Sequence, residues 1–501
     1  MTVFKKLAGQ TAIYGLSSIV GRFLYFLLVP IYTRVFHAGE YGEMTQLYAY
    51  VTFLNVLFTY GLETAYFRFF QSEKANPKVY STALISIVLS SLGLVLIIVS
   101  FSGTLAEFIT APVHQQPNSA MYVCWFALIL AFDAIMVLPF AKLRVENKAK
   151  RFASLRIFNI VINIGLNLFF LIWCPKAIAE GNTWVQSFYS PAMGLGYVFF
   201  SNVISSGLTL LLMMPEIFNI KFQFDTKLWK QMIIYAFPLM IAGYAGMVNE
   251  TFDRILLPYL LTDKSQAITL LGIYGACYKL SMLMTLVVQT FRYAADPFFF
   301  SLAGKEDAQH IYARVMNYFV LFCSFVFLGI LMYLDIFKYF IGEDYRSGLG
   351  IVPILLLANL FLGVYLNLSI WYKITSKTRW GAWFSVFGAV VTLLLNFLLI
   401  PIMGFYGSAW ATFICYGLMM VASYIYGQKH YPVPYDLKSF AYAIGSVVLF
   451  YFISLYFAGL FEGNRVFILL INTVLLLSWL ALTWVVERKK IAYLRSGNNS
   501  H

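Results

Sequence analysis

Three basic residues stand out because they interrupt or end long apolar runs. Arg22 and Lys279 lie near the middles of two such runs, and Arg254 lies near the end of a third. An ionisable group inside a membrane costs roughly 2.5–3.5 kcal/mol, which makes each of them a functional candidate. Arg holds a phosphate through two parallel hydrogen bonds, whereas Lys acts as a point charge. We therefore predict that these three cations line a cavity that binds a phosphate-bearing group.

A second set of candidates suits a coupling ion. Asn249, Glu250 and Asp253 lie close together near the outer end of one apolar run. Glu250 and Asp253 are three residues apart and therefore share a helix face, where their oxygens can bind Na⁺ or exchange a proton. The alternative for all these charges is structural. The cations would then pair with acids such as Asp133 or Glu250 and lock helices together.

The composition requires a membrane around these residues. Of 501 residues, 61% are hydrophobic and 11% are charged, whereas roughly 25% of a soluble chain is charged. A soluble surface cannot be built from so few charges. Because backbone groups in lipid need internal partners, the spans must be helices, and long apolar runs exclude a barrel whose strands would alternate. The chain is thus predicted to be an all-α polytopic membrane protein.

The apolar runs predict about 14 spans. The run over residues 380–428 holds two of them, separated by a breaker cluster at 400–407. A fifth span is predicted over 157–175, which leaves Arg156 in the preceding inner loop. The full set covers residues 9–36, 43–67, 81–106, 119–141, 157–175, 193–215, 231–249, 268–291, 315–334, 347–372, 380–428 (two spans), 439–461 and 466–486.

Lys and Arg residues set the orientation. With both termini in the cytoplasm, the inner segments carry 26 of the 35 Lys and Arg residues and the outer loops carry six. The net charge of +13 then comes mostly from the inner Lys and Arg residues that set the orientation of the protein in the membrane. No loop is long enough to form a nucleic-acid-binding domain, so nucleic acid is not an expected partner.

A weak internal repeat predicts the domain organisation. Residues 163–169 resemble residues 392–397, and similar Gly-containing segments recur at spacings of about 210–235 residues. We predict an N-terminal bundle of six spans over 1–215, a second over 216–428, and two extra spans with a cytoplasmic tail over 429–501. Halves related in this way commonly rock about a site at the membrane midplane.

Catalytic and cofactor signatures are missing from the sequence. It contains no P-loop, no His–Glu–x–x–His motif and no paired cysteines. A polytopic protein without an ATP-hydrolysing or catalytic motif is most simply a secondary transporter. We therefore expect no enzyme activity, no catalytic residues, no metal and no cofactor.

Four patches of the sequence carry a family resemblance. They are Tyr14-Gly15, Arg22, 30–34 and 40–42; then 249–254 and 271–279; then Arg292 and Pro297-Phe298; and finally Asn396, Ile400-Pro401, Gly404 and 407–409. Each patch is weak alone, but their order and spacing make the match specific. Together they resemble the polysaccharide-exporter (Wzx-type) branch of the multidrug/oligosaccharidyl-lipid/polysaccharide flippase superfamily.

The resemblance implies a V of two six-helix bundles that opens alternately to each side of a bacterial inner membrane. It also implies the substrate, an undecaprenyl-pyrophosphate-linked oligosaccharide, and makes polymerase and glycosyltransferases of one pathway candidate partners. Arg22, Asp253, Arg254 and Lys279 occupy motif positions and are carried over as cavity candidates. The alternatives are a multidrug or other small-molecule exporter of the same fold and a lipid II flippase.

The membrane potential is a sufficient expected driving force. Exporting two negative charges gains roughly 4–5 kcal/mol per 100 mV across an inside-negative membrane. Na⁺ or H⁺ coupling through Glu250 and Asp253 is permitted but not required. Undiminished net transport at zero potential, with the ion gradients intact, would contradict the electrical account.

Overall fold

The computed structural model describes residues 15, 19–72, 76–110, 118–219, 221–461 and 463–497. Within these ranges the chain is helical and contains no strand, which confirms the predicted all-α class. Tyr14 and both ends of the chain lie outside the described residues, so the cytoplasmic placement of the termini stays a prediction.

Twenty-two α-helices follow one another in the described ranges. α1 is described over residues 19–26. The first unbroken series is α2 Val29–Val35, α3 Ala38–Thr59, α4 Leu62–Ser72, α5 Pro77–Ser100, α6 Ser102–Thr110, α7 Ser119–Val145, α8 Ala149–Leu168, a π-helical turn Phe169–Trp173, α9 Cys174–Ala179, α10 Thr183–Gln186, a 3₁₀ turn Pro191–Met193, α11 Gly196–Leu212 and α12 Met214–Phe218. The second is α13 Thr226–Leu260, α14 Ala267–Leu302, α15 Ala308–Met332, α16 Leu334–Phe337, 3₁₀ turns Lys338–Phe340 and Glu343–Ile351, α17 Val352–Leu368, α18 Ile370–Ile374, α19 Arg379–Met403, α20 Phe405–His430, α21 Leu437–Leu460 and α22 Arg465–Gly497.

Eleven helical segments in the described ranges are long and apolar enough to cross a membrane. α11 is a shorter apolar helix. The predicted number of 14 spans is therefore approximate, while the multi-pass architecture is confirmed. One boundary differs in a way that matters: α8 begins at Ala149, eight residues before the predicted start, so Arg156 lies inside the helix.

The chain divides into two compact units. The first unit comprises Met1–Ala276 and Gly381–Cys415, and the second comprises Cys277–Trp380 and Tyr416–His501. The predicted bundles 1–215 and 216–428 stay a prediction.

A dense apolar core holds the first unit together. Phe58, Leu62 and Val79 from α3, α4 and α5 are fully buried, and Leu138 of α7 and Met232 of α13 pack into the same cluster. Burying side chains of this size stabilises the fold by about 1.5–3 kcal/mol each. These helices are thereby fixed as a scaffold for the polar residues between them.

Two segments of the first unit make matching hydrogen bonds, as a repeat requires. The Nδ2 of Asn167 donates to the carbonyl of Asn163 at 2.8 Å. The Nδ2 of Asn396 likewise donates to the carbonyl of Thr392 at 2.7 Å. Each pair then reaches a serine of a later helix: Asn163 donates to Ser205 at 3.1 Å, and Asn396 accepts from the hydroxyl of Ser408 at 3.1 Å. The likeness between 163–169 and 392–397 is therefore structural as well as sequential.

α3 and α14 cross backbone to backbone near their N-termini. A Cβ at Gly42 would collide with the carbonyl of Ile268, and a Cβ at Gly272 would collide with the carbonyl of Ala38. The two contacts are equivalent, because Gly42 and Gly272 are 230 residues apart and so are Ala38 and Ile268. Such an approach is possible because small residues line both faces.

The second unit has its own core. Phe299, Tyr312, Ile370 and Val433 are buried in one cluster that joins α14, α15, α18 and the segment after α20. The Tyr312 hydroxyl donates to the carbonyl of Phe299 at 2.9 Å, which ties α15 to the end of α14.

Candidate functional site

A stripe of polar side chains runs along one face of α8 in the first unit. Asn159, Asn163 and Asn167 recur every four residues, which places them on one face of the helix. The Asn159 amide donates to Thr209 on α11 at 3.0 Å. The hydroxyl of Tyr25 donates to Asn159 at 3.3 Å. We call the following residues the polar tract: Tyr25, Tyr32, Asp133, Arg156, Asn159, Asn163, Asn167, Ser205, Ser206 and Thr209.

The polar tract is tied to the first segment of the chain at two levels. The hydroxyl of Tyr32 donates to Asn167 at 3.0 Å, while Tyr25 contacts Asn159 as described. The second contact lies seven residues after the first in the first segment and eight residues after it in α8. The two segments therefore run parallel. At Gly21, a Cβ would lie 2.8 Å from the Cδ1 of Ile160, so α1 packs closely on α8.

Asp133 brings a carboxylate into the middle of a spanning helix. It lies halfway along α7 and accepts a hydrogen bond from the Ser206 hydroxyl at 2.9 Å. Its helical neighbours on the same face, Ile129, Met136 and Phe140, are buried, yet Asp133 itself is exposed. Asp133 is therefore accessible from outside the packed helices although its neighbours on that face are not.

Arg156 is exposed in the same way. Phe152, Ile160 and Asn163 on the same face of α8 are buried, whereas Arg156 is not. Its guanidinium carbon lies 4.1 Å from the ring centroid of Phe140, a cation–π contact that holds the group in place. Among the residues that the structure describes, no hydrogen-bond acceptor or ion-pair partner engages the guanidinium. Its donors are therefore available to an anion.

Arg22 occupies the position that the sequence suggested, on α1 within the first unit. It is exposed, and no carboxylate in the described part of the chain forms an ion pair with it. Arg22 precedes Tyr25 by three residues, just as Arg156 precedes Asn159. Because α1 and α8 run parallel, Arg22 and Arg156 lie at about the same depth.

The three predicted ion-coupling residues make different contacts within the first unit. Asn249 donates to the carbonyl of Ser385 at 3.1 Å, so its amide faces α19. Asp253 is buried and accepts a hydrogen bond from the hydroxyl of Tyr274 at 2.5 Å. Glu250 is exposed. No cluster of three His, Cys, Asp or Glu suited to a metal occurs within the described ranges. Ion coupling through Asn249, Glu250 and Asp253 stays a prediction.

The two remaining basic candidates lie apart from the polar tract in the sequence. Arg254 is half-buried, and its guanidinium donates to the carbonyl of Glu250 at 3.0 Å. Arg254 and Asp253 thus serve different partners, as adjacent helical residues must. Lys279 is half-buried in the middle of α14 and belongs to the second unit. Substrate binding by Arg254 and Lys279 stays a prediction.

Some other charges within or beside the spans form ion pairs. Arg144 on α7 pairs with Glu63 on α4. In the second unit, Lys373 lies 3.2 Å from Asp296. Such pairs lock neighbouring helices, which is the structural alternative described above. Arg22 and Arg156 differ from them because no described carboxylate neutralises either one at ion-pair distance.

Arg156 and the three asparagines of α8, Asn159, Asn163 and Asn167, are the functional candidates that the sequence did not predict. Arg156 follows five other basic residues in 142–151, so it was counted with the inner loop. The signal that reveals it is helical spacing, because Arg156, Asn159, Asn163 and Asn167 follow one face at steps of three or four. Extending the 3.6-residue period backwards from Asn163 would have included it.

The comparisons with known proteins agree with this architecture. A family model described as polysaccharide biosynthesis protein matches residues 7–303, more than half of the chain. No curated protein matches. The lipid II flippase MurJ in an inward closed conformation has a TM-score of 0.69 at 16% identity, covering 96% of this chain and 99% of that chain.

Two conformations of multidrug resistance MATE family transporters of the MOP superfamily are also similar. The inward-facing one has a TM-score of 0.62 at 12% identity, covering 81% of this chain and 93% of that chain. The outward-facing one has a TM-score of 0.55 at 12% identity, covering 85% and 94%. At such identities these likenesses show the fold alone. The chain therefore belongs to the polysaccharide biosynthesis protein family and is a multi-pass membrane protein with the fold of the MOP superfamily.

Proposed function

We propose that the protein is a flippase that moves undecaprenyl-pyrophosphate-linked oligosaccharides from the cytoplasmic to the periplasmic leaflet of a bacterial inner membrane by alternating access. The observation that carries the proposal is the pair of arginines, Arg22 and Arg156, whose guanidinium groups form no ion pair with a described carboxylate. Such cations persist in a membrane protein when they serve an anionic ligand.

The polar tract suits the head group of such a lipid. The pyrophosphate carries about two negative charges, and two guanidinium groups at one depth can each bind one phosphoryl group bidentately. A sugar hydroxyl that enters hydrocarbon without partners costs several kcal/mol. Asn159 and Tyr25 are at least partly exposed and offer replacement hydrogen bonds, whereas the buried amides of Asn163 and Asn167 bond within the protein and hold α8 in place. The polyprenyl chain needs no such path because it stays in lipid.

The family membership supports this substrate class over drug export. A cationic drug favours carboxylates that face an apolar pocket, whereas the first unit offers Arg22 and Arg156 beside a tract in which Asp133 is the one carboxylate. The similarity to the lipid II flippase, which extends over 96% of this chain, supports a lipid-linked anion as the class of substrate.

The test is a leaflet-accessibility assay in proteoliposomes. The probe is a fluorescent undecaprenyl-pyrophosphate oligosaccharide, and an impermeant quencher reports which leaflet holds it. Arg22→Ala and Arg156→Ala should each slow flipping at least about tenfold, because a hydrogen bond to a charged group contributes about 1.5–3 kcal/mol. Lys150→Ala is the matched control, since Lys150 is an exposed cation on the same helix as Arg156.

Two outcomes would overturn the proposal. If folded native protein flips the probe no faster than protein-free liposomes do, the flippase assignment is wrong. If Arg22→Ala and Arg156→Ala flip as fast as Lys150→Ala, the two arginines do not bind the pyrophosphate.

A further inference from the structure

An apolar cavity of about 260 Å³ lies within the second unit, where α15, α17, α20 and α21 meet. Its buried floor consists of Met316 and Val320 on α15 and of Val364 and Leu368 on α17. We propose that this cavity binds one acyl chain of a bilayer phospholipid, with the phosphate of that lipid at the rim.

The cavity opens at the surface between α20 and α21. Val421 and Leu437 line it there and are 47% and 53% exposed. Water does not fill a space of this kind, because it finds too few polar partners inside. An empty space deprives the surrounding atoms of van der Waals contacts. A hydrocarbon chain avoids both costs and has room for about eight methylene groups, at roughly 30 Å³ each.

The helices place the cavity near one end of the spanning segments. Met316 and Val320 lie in the first half of α15, Leu368 is the last residue of α17, and Leu437 is the first residue of α21. On the topology that the charge distribution predicts, these ends lie on the cytoplasmic side. A chain in the cavity therefore comes from the inner leaflet.

Two tyrosine hydroxyls at the rim are available to the lipid. Tyr424 and Tyr435 line the cavity, and their ring centroids lie 6.2 Å apart. Neither hydroxyl makes a hydrogen bond within the described part of the chain, although tyrosine hydroxyls in such places usually find a partner. The other polar residues of the lining are engaged, because Asn317 donates to Glu487 at 3.1 Å and Asp436 caps α21. The hydroxyls can donate to the ester and phosphate oxygens of a phospholipid.

Two cations flank the rim and suit a phosphate. Arg314 follows Ala313 of the lining on α15, and Lys438 follows Leu437 on α21. Both cations are exposed, and among the described residues no carboxylate forms an ion pair with either. Basic side chains near the cytoplasmic surface attract anionic lipids.

The experiment photo-crosslinks a lipid to the full-length protein in proteoliposomes. The probe is phosphatidylglycerol with a diazirine in the middle of one acyl chain, and peptide mass spectrometry locates the labelled residues. Met316 is the diagnostic position, because it is buried and bulk lipid does not reach it. Met316 of the native protein should be labelled. Excess unlabelled phosphatidylglycerol should prevent the labelling, whereas excess undecaprenyl pyrophosphate should not.

Val421→Trp should close the opening and reduce labelling of Met316 to the level without irradiation. Val474→Trp is the matched control, since Val474 is an exposed valine on α22 that lies outside the lining. It should keep native labelling of Met316. Size-exclusion chromatography identifies the folded variants, which alone are compared.

Milder variants test the rim. Arg314→Gln and Lys438→Gln should each lower labelling of Met316 about fivefold at limiting probe, the contribution of one basic side chain at an anionic lipid surface. Tyr424→Phe combined with Tyr435→Phe should lower it at least about twofold, the effect of losing one weak hydrogen bond.

Three outcomes would overturn the proposal. The first is a native protein that is not labelled at Met316, and the second is native labelling in folded Val421→Trp. The third is displacement of the probe by undecaprenyl pyrophosphate but not by phosphatidylglycerol, because the cavity would then hold the prenyl chain of the substrate. None of these results contradicts the proposed flippase function, which rests on arginines of the first unit.

Discussion

At the scale of single residues, the buried carboxylate of Asp253 joins two helices. Its side chain is 4% exposed. One oxygen accepts the hydroxyl of Tyr274 and the other accepts the backbone amide of Arg254 at 2.9 Å. We therefore expect Asp253 to hold α13 against the first part of α14.

Tyr274→Phe tests this interpretation. It removes the hydroxyl that donates to a buried carboxylate, and leaving such a group unsatisfied costs about 1–3 kcal/mol. The midpoint of thermal unfolding in detergent should fall, and Tyr274→Phe combined with Asp253→Asn should cost less than the two single changes together. Tyr318→Phe is the control, because its side chain is 48% exposed. Strict additivity of the two changes would show that the hydrogen bond does not stabilise the protein.

The sequence predicted part of the candidate site, namely the charged residue that differs most from its sequence neighbours. Arg22 was predicted because a lone charge within an apolar run is conspicuous. Arg156 was not, because it follows other basic residues of an inner loop. The partner of Asp253, Tyr274, lies 21 residues away on another helix, and no local pattern indicates such a contact. Residues that act alone were predictable, whereas residues that depend on partners were not.

At the scale of elements, the crossing of α3 and α14 depends on glycine. Gly42 and Gly272 each face the backbone of the other helix, and Gly275 faces Thr45. The N-terminal ends of both helices follow loops that the charge distribution places outside the membrane. On the topology that the charge distribution predicts, the crossing lies at the outer side of the first unit.

Gly42→Ala and Gly272→Ala should each force the two helices apart. Overpacking of this kind costs about 1–3 kcal/mol, so the thermal unfolding midpoint should fall for each variant. The double variant should cost less than the sum, because one separation relieves both collisions. Gly246→Ala is the matched control, since a Cβ there meets no atom within 4 Å. If Gly272→Ala is as stable as Gly246→Ala, the crossing is not closely packed in the membrane.

Element boundaries explain what the sequence could not predict at this scale. The polar and basic start of α8 was predicted to be a loop because charged side chains are favourable in water. In the structure, Ala149–Ala179 forms one continuous 31-residue segment, long enough to extend beyond the apolar layer at one end. Charge runs therefore indicate where a helix meets water, not where it begins. The breaker cluster at 400–407 was read correctly, since α19 ends at Met403 and α20 begins at Phe405.

At the scale of the whole molecule, composition alone predicted the class correctly. Low charge and long apolar runs leave only a helical bundle in lipid, and the structure has that architecture over its described ranges. The boundaries between the two units fall inside α14, α19 and α20, and the sequence did not predict them. It depends on contacts between distant helices, which a pattern of hydropathy does not encode.

The most direct measurement compares two probes in proteoliposomes that contain the native protein. Both probes carry the same undecaprenyl chain and the same oligosaccharide, one joined through a pyrophosphate and the other through a neutral ether link. The account predicts that the pyrophosphate-linked probe changes leaflet rapidly while the neutral one moves no faster than in protein-free liposomes. Equal rates for the two probes, or movement of the neutral probe alone, would contradict the claim that the arginines of the first unit recognise an anionic lipid head group.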